Sequence, residues 1–205
     1  FLSPQPIVYK TTDTGTTWNL MPLYDFSNLT AITDLLEPVN GDTVKRPYFS
    51  GGDADYTVDK YGNLHIICVM WSALSNHPDS LDFIKGNTLI FDLFTTSSGC
   101  WNAIYVDSIR AEDVADFNPC ALHGLGWDSR LQASRTADGS KVFCSWMDTD
   151  PLFSSENCFP DVYAWGYDID LNKMTLPVNF TSGTPIEATI YWMYTSDITL
   201  VNVTT

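Results

Sequence analysis

Basic side chains are scarce. The chain has 205 residues, with 10 Lys and Arg against 25 Asp and Glu, a formal charge of −15. Nucleic acids and anionic membrane surfaces are bound through clustered Lys and Arg, so this composition argues against both as partners. Long apolar runs are also missing. The densest is Leu64–Trp71, far short of the roughly 20 residues that cross a bilayer as a helix, and no membrane insertion is expected. No CxxC, HExxH, Gly-rich phosphate loop or EF-hand spacing occurs, so these residues offer no zinc-ribbon, metalloprotease, P-loop or EF-hand chemistry. His65, His77 and His123 are widely separated. His65 lies in an apolar run and reads as a buried, hydrogen-bonded core histidine. The chain starts at Phe1, with no initiator Met, basic segment or apolar leader, which reads as a mature product or an excerpt of a longer protein.

Apolar residues are plentiful, at 44%, and 14% of the chain is aromatic. Such a chain buries a core despite its charge. Helical periodicity is confined to Ser27–Pro38, where Leu29, Ile32, Leu35 and Leu36 share a face before Pro38 stops the run, and to a turn or two in Arg110–Phe117. Elsewhere, β-branched and aromatic runs alternate with turn residues. Strands are expected near 5–10, 54–59, 64–72, 87–94, 101–107, 131–136, 141–147, 161–168, 174–180 and 186–194. In 141–147, Val142, Cys144 and Trp146 alternate with Phe143 and Met147, so both faces are apolar. A strand of that kind is covered on both sides.

Two segments read as copies of one unit. Tyr56–Trp71 and Leu131–Trp146 are each a strand, a turn at Gly62 or Gly139, and a strand ending in Trp. Each precedes a further strand pair, Asn87–Asp107 and Asp161–Phe180. The pattern is a four-stranded unit repeated with long inserted loops.

The most specific local pattern is Thr11-Thr-Asp13-Thr-Gly15-Thr-Thr17-Trp18. Asp13 is placed to accept turn amides, Gly15 to supply a positive φ, and Trp18 to bury its ring and pin the turn. This run resembles the Asp-box, Ser/Thr-x-Asp-x-Gly-x-Thr-Trp, of sialidase-like β-propellers, also called the BNR repeat, with a structural role for Thr11, Asp13, Gly15, Thr17 and Trp18. A decayed copy, Thr95-Thr-Ser97-Ser-Gly99-Cys-Trp101, has Ser97 in place of Asp. The resemblance implies an all-β fold: a partial sialidase-like propeller of about three four-stranded blades with long loops and one short helix. Its blade segments would be near 1–45, 48–110, 120–181 and 186–205, within a larger propeller. The cadence of Gly turns and Trp-ended strands, with the acidic, Lys-poor composition, is similar to Asp-box proteins secreted by Bacteroidota, many of which leave by type IX secretion. No sorting domain is recognisable here.

Sialidase-like enzymes hold a substrate carboxylate with three arginines and attack with a Tyr/Glu pair. This chain has Arg46, Arg110, Arg130 and Arg135, none in a family motif, and no Tyr or Glu stands out. No catalytic or cofactor-binding residue is assigned. Asp53, Asp55 and Asp59 form an acidic turn region able to offer oxygen ligands to Ca2+, with a solvated loop as the competing reading. Cys68 and Cys144 read as buried apolar residues, while Cys100, Cys120 and Cys158 lie in loop-like surroundings where one disulfide fits an exported chain. Trp101–Tyr105 and Gly124–Trp127 are aromatic stretches suited to sugar or protein contact, or to packing between blades. The expected function is a non-catalytic, secreted or cell-surface scaffold or binding module for a protein or glycan partner. A bacterial surface or secretion complex is its expected setting. The competing function is an exo-sialidase-like glycoside hydrolase whose catalytic set lies largely outside this chain.

Overall fold

A computed structural model describes residues 5–39, 45–73, 83–111 and 129–190, without the side chains of 50–53 and 83–87. Strands β1 (Tyr9–Lys10) and β2 (Asn19–Leu20) form a short hairpin. A 3-10 turn (Phe26–Asn28) and the single-turn helix α1 (Thr30–Thr33) follow. The first sheet is an antiparallel meander of β3 (Arg46–Val58), β4 (Leu64–Ala73), β5 (Phe83–Thr95) and β6 (Trp101–Ser108). The second is β7 (Gln132–Arg135), β8 (Lys141–Thr149), β9 (Pro160–Asp168), then β10 (Lys173–Met174) and β11 (Val178–Asn179), both paired with β9. The first expected four-stranded unit is therefore one sheet, whereas the second sheet has five strands, because the strand expected near 174–180 breaks into β10 and β11, both on β9.

Side-chain alternation puts β4 between two layers. Ile67, Val69 and Trp71 face the second sheet, where they meet Cys144, Trp146, Tyr163 and Trp165. Cys68 and Met70 point the other way, into a cluster with Phe91, Leu93, Trp101, Phe26, Ile32 and Leu36. The residues after the β1–β2 hairpin thus cover the outer face of the first sheet. Phe26 anchors that cover through edge contacts with Phe49 and Trp101, centroids 5.4 and 5.1 Å apart. Burying a side chain of this size stabilises the fold by roughly 3 kcal/mol. The order is N-terminal segment, first sheet, second sheet, and β4 within the first sheet is buried on both faces.

Several expectations need correction. The strand expected at 5–10 contracts to Tyr9–Lys10, and no strand occurs over 186–190 among the described residues. Leu35 turns outward, at 44% exposure, because helical geometry lasts too briefly to carry four residues on one face. Trp101–Tyr105 lies in strand β6, as expected near 101–107, and Trp101 is buried. Gly124–Trp127 and most of Arg110–Phe117 lie outside the described residues.

Candidate functional site

At one end of the two sheets the tight turns converge. In the β3–β4 turn, Asp59 Oδ1 accepts the amides of Tyr61 and Asn63 at 2.8 and 2.9 Å, and Oδ2 accepts Asn63 Nδ2 at 2.9 Å. In the β7–β8 turn, Asp138 Oδ1 accepts the Thr136 hydroxyl and the Ser140 amide and hydroxyl at 2.6, 3.0 and 2.9 Å. The two turns touch. The Lys60 amide donates to Gly139 O at 3.0 Å, and a Cβ on Gly139, where φ is +68°, would lie 2.7 Å from Lys60 N. Lys60 Nζ reaches Asp170 Oδ2 at 2.5 Å and Tyr61 Oη donates to Asp170 Oδ1 at 2.9 Å. A left-handed glycine at the point of closest approach is what lets the sheets meet here.

Beneath these turns lies a buried ionisable cluster. His65 Nδ1 is 2.8 Å from Asp92 Oδ2 and His65 Nε2 is 3.7 Å from Asp59 Oδ2, with side-chain exposures of 0–2%. Phe94 stacks on the imidazole at 5.4 Å and Tyr167 meets it edge-on at 6.3 Å. Burial alone pulls the histidine down, but the Asp92 hydrogen bond and charge, with the Asp59 charge added, outweigh it and hold His65 above its ordinary value. Burial pushes Asp92 upward and the histidine opposes it. The shared proton belongs on His65, because carboxylates face both of its nitrogens. An Asp–His pair of this kind orients a catalytic base in hydrolases. Here Nε2 is buried and has no hydrogen-bond partner among the described residues, so no hydroxyl is in place as a nucleophile. A pocket of about 260 Å³ opens above the pair, lined by Tyr61, Phe94, Tyr167, Asn63 and the Thr95–Ser97 turn.

The opposite end is tied by carboxylates of a different kind. Fully buried Asp148 accepts the Arg110 and Ala111 amides at 2.7 and 3.0 Å. Arg110 bonds Asp107 at 2.7 Å and lies 4.4 Å over the Tyr163 ring. Burial raises the Tyr163 hydroxyl to about 12, partly offset by the Arg110 charge. Asp161, opposite Asp148 in the β8–β9 register, accepts Thr181 Oγ1, the Ala188 amide and Asn179 Nδ2 at 2.6, 2.8 and 3.0 Å. Arg135 pairs in register with Val142, whereas Arg110 reaches Asp148. Six residues of strand separate those points, roughly 20 Å. Arg110 and Arg135 therefore do not converge on one carboxylate.

The Asp13 turn forms the bonding its sequence implies. Thr11 Oγ1 donates to Asp13 Oδ1 at 2.8 Å and accepts the Gly15 amide at 3.0 Å. The Thr17 amide reaches Asp13 Oδ1 at 2.8 Å and its hydroxyl reaches Oδ2 at 2.6 Å. Led by the Thr17 hydroxyl, these bonds hold Asp13 down at about 2. Positive φ falls on both Thr14 (57°) and Gly15 (93°). The expectation for Trp18 fails. Its ring is 60% exposed, and its indole N–H instead closes the turn onto Gly15 O at 3.1 Å. The ring has no sheet to pin, because the hairpin strands are two residues long with both faces exposed. In the decayed copy the outcome is reversed. Trp101 is buried, and backbone bonds from Gly99 to Thr96 and from Thr96 to Cys100 close the turn without a carboxylate.

The acidic candidates are occupied by the fold. Asp55 Oδ2 accepts the Ala133 amide of the second sheet at 2.9 Å, Asp59 holds its own turn, and the Asp53 side chain lies outside the described residues. Among the described residues no group of three His, Cys, Asp or Glu side chains is arranged to hold a metal ion. Cys68 and Cys144 are buried thiols outside any disulfide, Cys100 is an exposed thiol and Cys158 is disulfide-bonded. Cys120 lies outside the described residues. The chain matches no family model and no curated protein. Sequence reasoning missed the Asp92 pairing with His65. The available signal was an aspartate within the apolar run Leu89–Phe94, beside a strand carrying an equally isolated histidine.

Proposed function

We propose that this chain is a non-catalytic scaffold and binding unit, a portion of a secreted or cell-surface sialidase-like propeller that engages a protein or glycan partner. A bacterial surface or secretion complex is the setting we assign to it. The observation carrying this reading is the outer margin of the second sheet, where Met174, Leu176, Val178, Phe180 and Ile186 are 48–83% exposed. Exposed apolar side chains gathered within one short stretch of an acidic chain mark an interaction site. The commitment of Asp148, Asp161, Asp59 and Arg110 to bonds that hold turns and loops supports the same reading, because such groups are spent on structure.

The test pairs an activity assay with an interaction assay. No turnover of a fluorogenic sialoside is expected. Leu176→Asp with Phe180→Asp should abolish association with the partner that co-purifies with the parent protein, while leaving the unfolding midpoint unchanged. Sialoside turnover lost on Arg110→Ala would overturn the proposal in favour of a hydrolase.

A further inference from the structure

We infer that the pocket above His65 binds a small organic ammonium ion. Three aromatic rings contribute to it: Tyr61, Phe94 and Tyr167. Phe94 and Tyr167 are inclined at 52° with centroids 6.4 Å apart, so they form two sides of a corner. The ring faces carry partial negative charge and attract cations within about 6 Å of the centroid. The surrounding charge points the same way. Asp59 lines the pocket, Asp92 lies behind His65 and Asp170 beside Tyr61, while Lys60 and His65 are each paired with one of these carboxylates and Arg135 bonds Val58 O at 2.6 Å. Anions, including sialic acid and phosphate, are repelled from such a site.

Two further observations concern ligand chemistry. The chain already places an ammonium at this rim, since Lys60 Nζ sits 5.0 Å over the Tyr61 ring and bonds Asp170. The ring and carboxylate that hold it are the two elements of cation recognition. At about 260 Å³ the pocket suits a choline-sized cation better than a drug-sized ligand. This inference goes beyond the scaffold reading and does not use the apolar margin that carries it, so its failure leaves that reading intact.

Titration calorimetry on the full chain tests it, with choline as the probe and its uncharged isostere 3,3-dimethylbutan-1-ol as control. Choline should bind at least about tenfold more tightly than the isostere. Tyr61→Ala should weaken choline at least about fivefold, and Lys60→Met should strengthen it by removing the internal competitor. Tyr61 is 61% exposed and the Lys60 side chain 30% exposed, and unchanged unfolding midpoints will show that both variants fold. Equal affinity for the isostere, choline binding indifferent to Tyr61→Ala, or no saturable choline binding in the millimolar range would each overturn the inference.

Discussion

Replacing His65 or Asp92 alone should damage the protein far more than replacing both. The pair is 0–1% exposed with a 2.8 Å contact. His65→Leu leaves Asp92 without its one hydrogen-bond partner among the described residues, at a fully buried site. Asp92→Leu leaves Nδ1 without its carboxylate, with only Asp59 left near the ring, on the Nε2 side. Stranding one partner of a buried ion pair costs about 3–5 kcal/mol, whereas replacing both by apolar groups of similar size is often close to neutral. Each single variant should thus lose a large part of a stability that is typically about 5–15 kcal/mol. With a urea m-value of about 2 kcal/mol/M, its unfolding midpoint falls by roughly 2 M, while the double variant stays within about 1 kcal/mol of the parent. The pH dependence supplies an independent check. The folded-state pKa of His65 is raised above 6.5, so its contribution is complete below that value. It fades as the pH climbs through the raised folded value. The parent midpoint should drop across that window, and the double Leu variant should lack the drop. If the double variant instead loses the sum of the two single effects, the two side chains act independently and the reasoning fails.

Three other outcomes are expected. Gly139→Ala should destabilise by roughly 3 kcal/mol, combining backbone strain with the clash on Lys60, and Gly62→Ala by only about 1 kcal/mol, because φ is +78° there but nothing lies within 4 Å of the new Cβ. Chemical denaturation of both variants checks this, and equal losses would show that the sheets do not meet as described. Trp18→Ala should change global stability by less than about 1 kcal/mol, whereas Trp146→Ala, at a fully buried site, should cost about 3–5 kcal/mol. The Asp13 turn should hold until the pH approaches about 2, where protonation removes the acceptor for Thr17. Followed by NMR, the Thr17 amide shift should titrate there, and a midpoint near 4 would mean that the carboxylate bonds are absent in solution.

Local features were legible where the pattern is local. The turn glycines Gly62 and Gly139 carry the positive φ that their Asx-type turns require. The strands from Leu64 to Trp71 and from Lys141 to Met147 were visible as apolar on both faces, and both are buried. The Asp13 hydrogen bonds follow from residues within four positions of one another, so a linear motif was enough to foresee them. Exposure was not legible by the same route. Trp18 and Trp101 occupy the same place in two related turns, yet one is exposed and the other buried. What separates them is the length of the strands they follow and whether Phe26 arrives to cover them.

The amino-acid order alone settled the β-rich character, the positions of the turn glycines and the hydrogen bonding of the Asp13 turn, because all three depend on neighbours along the chain. The pairing of His65 with Asp92 across 27 positions, the bond from Asp55 to Ala133 across 78, and the meeting of Gly139 with Lys60 belong to the folded chain. Those contacts depend on which face of which strand meets its neighbour and in what register. A one-residue slip would turn every one of these side chains to the opposite side. The ionisable corner and the pocket above it therefore exist only once the two sheets have packed.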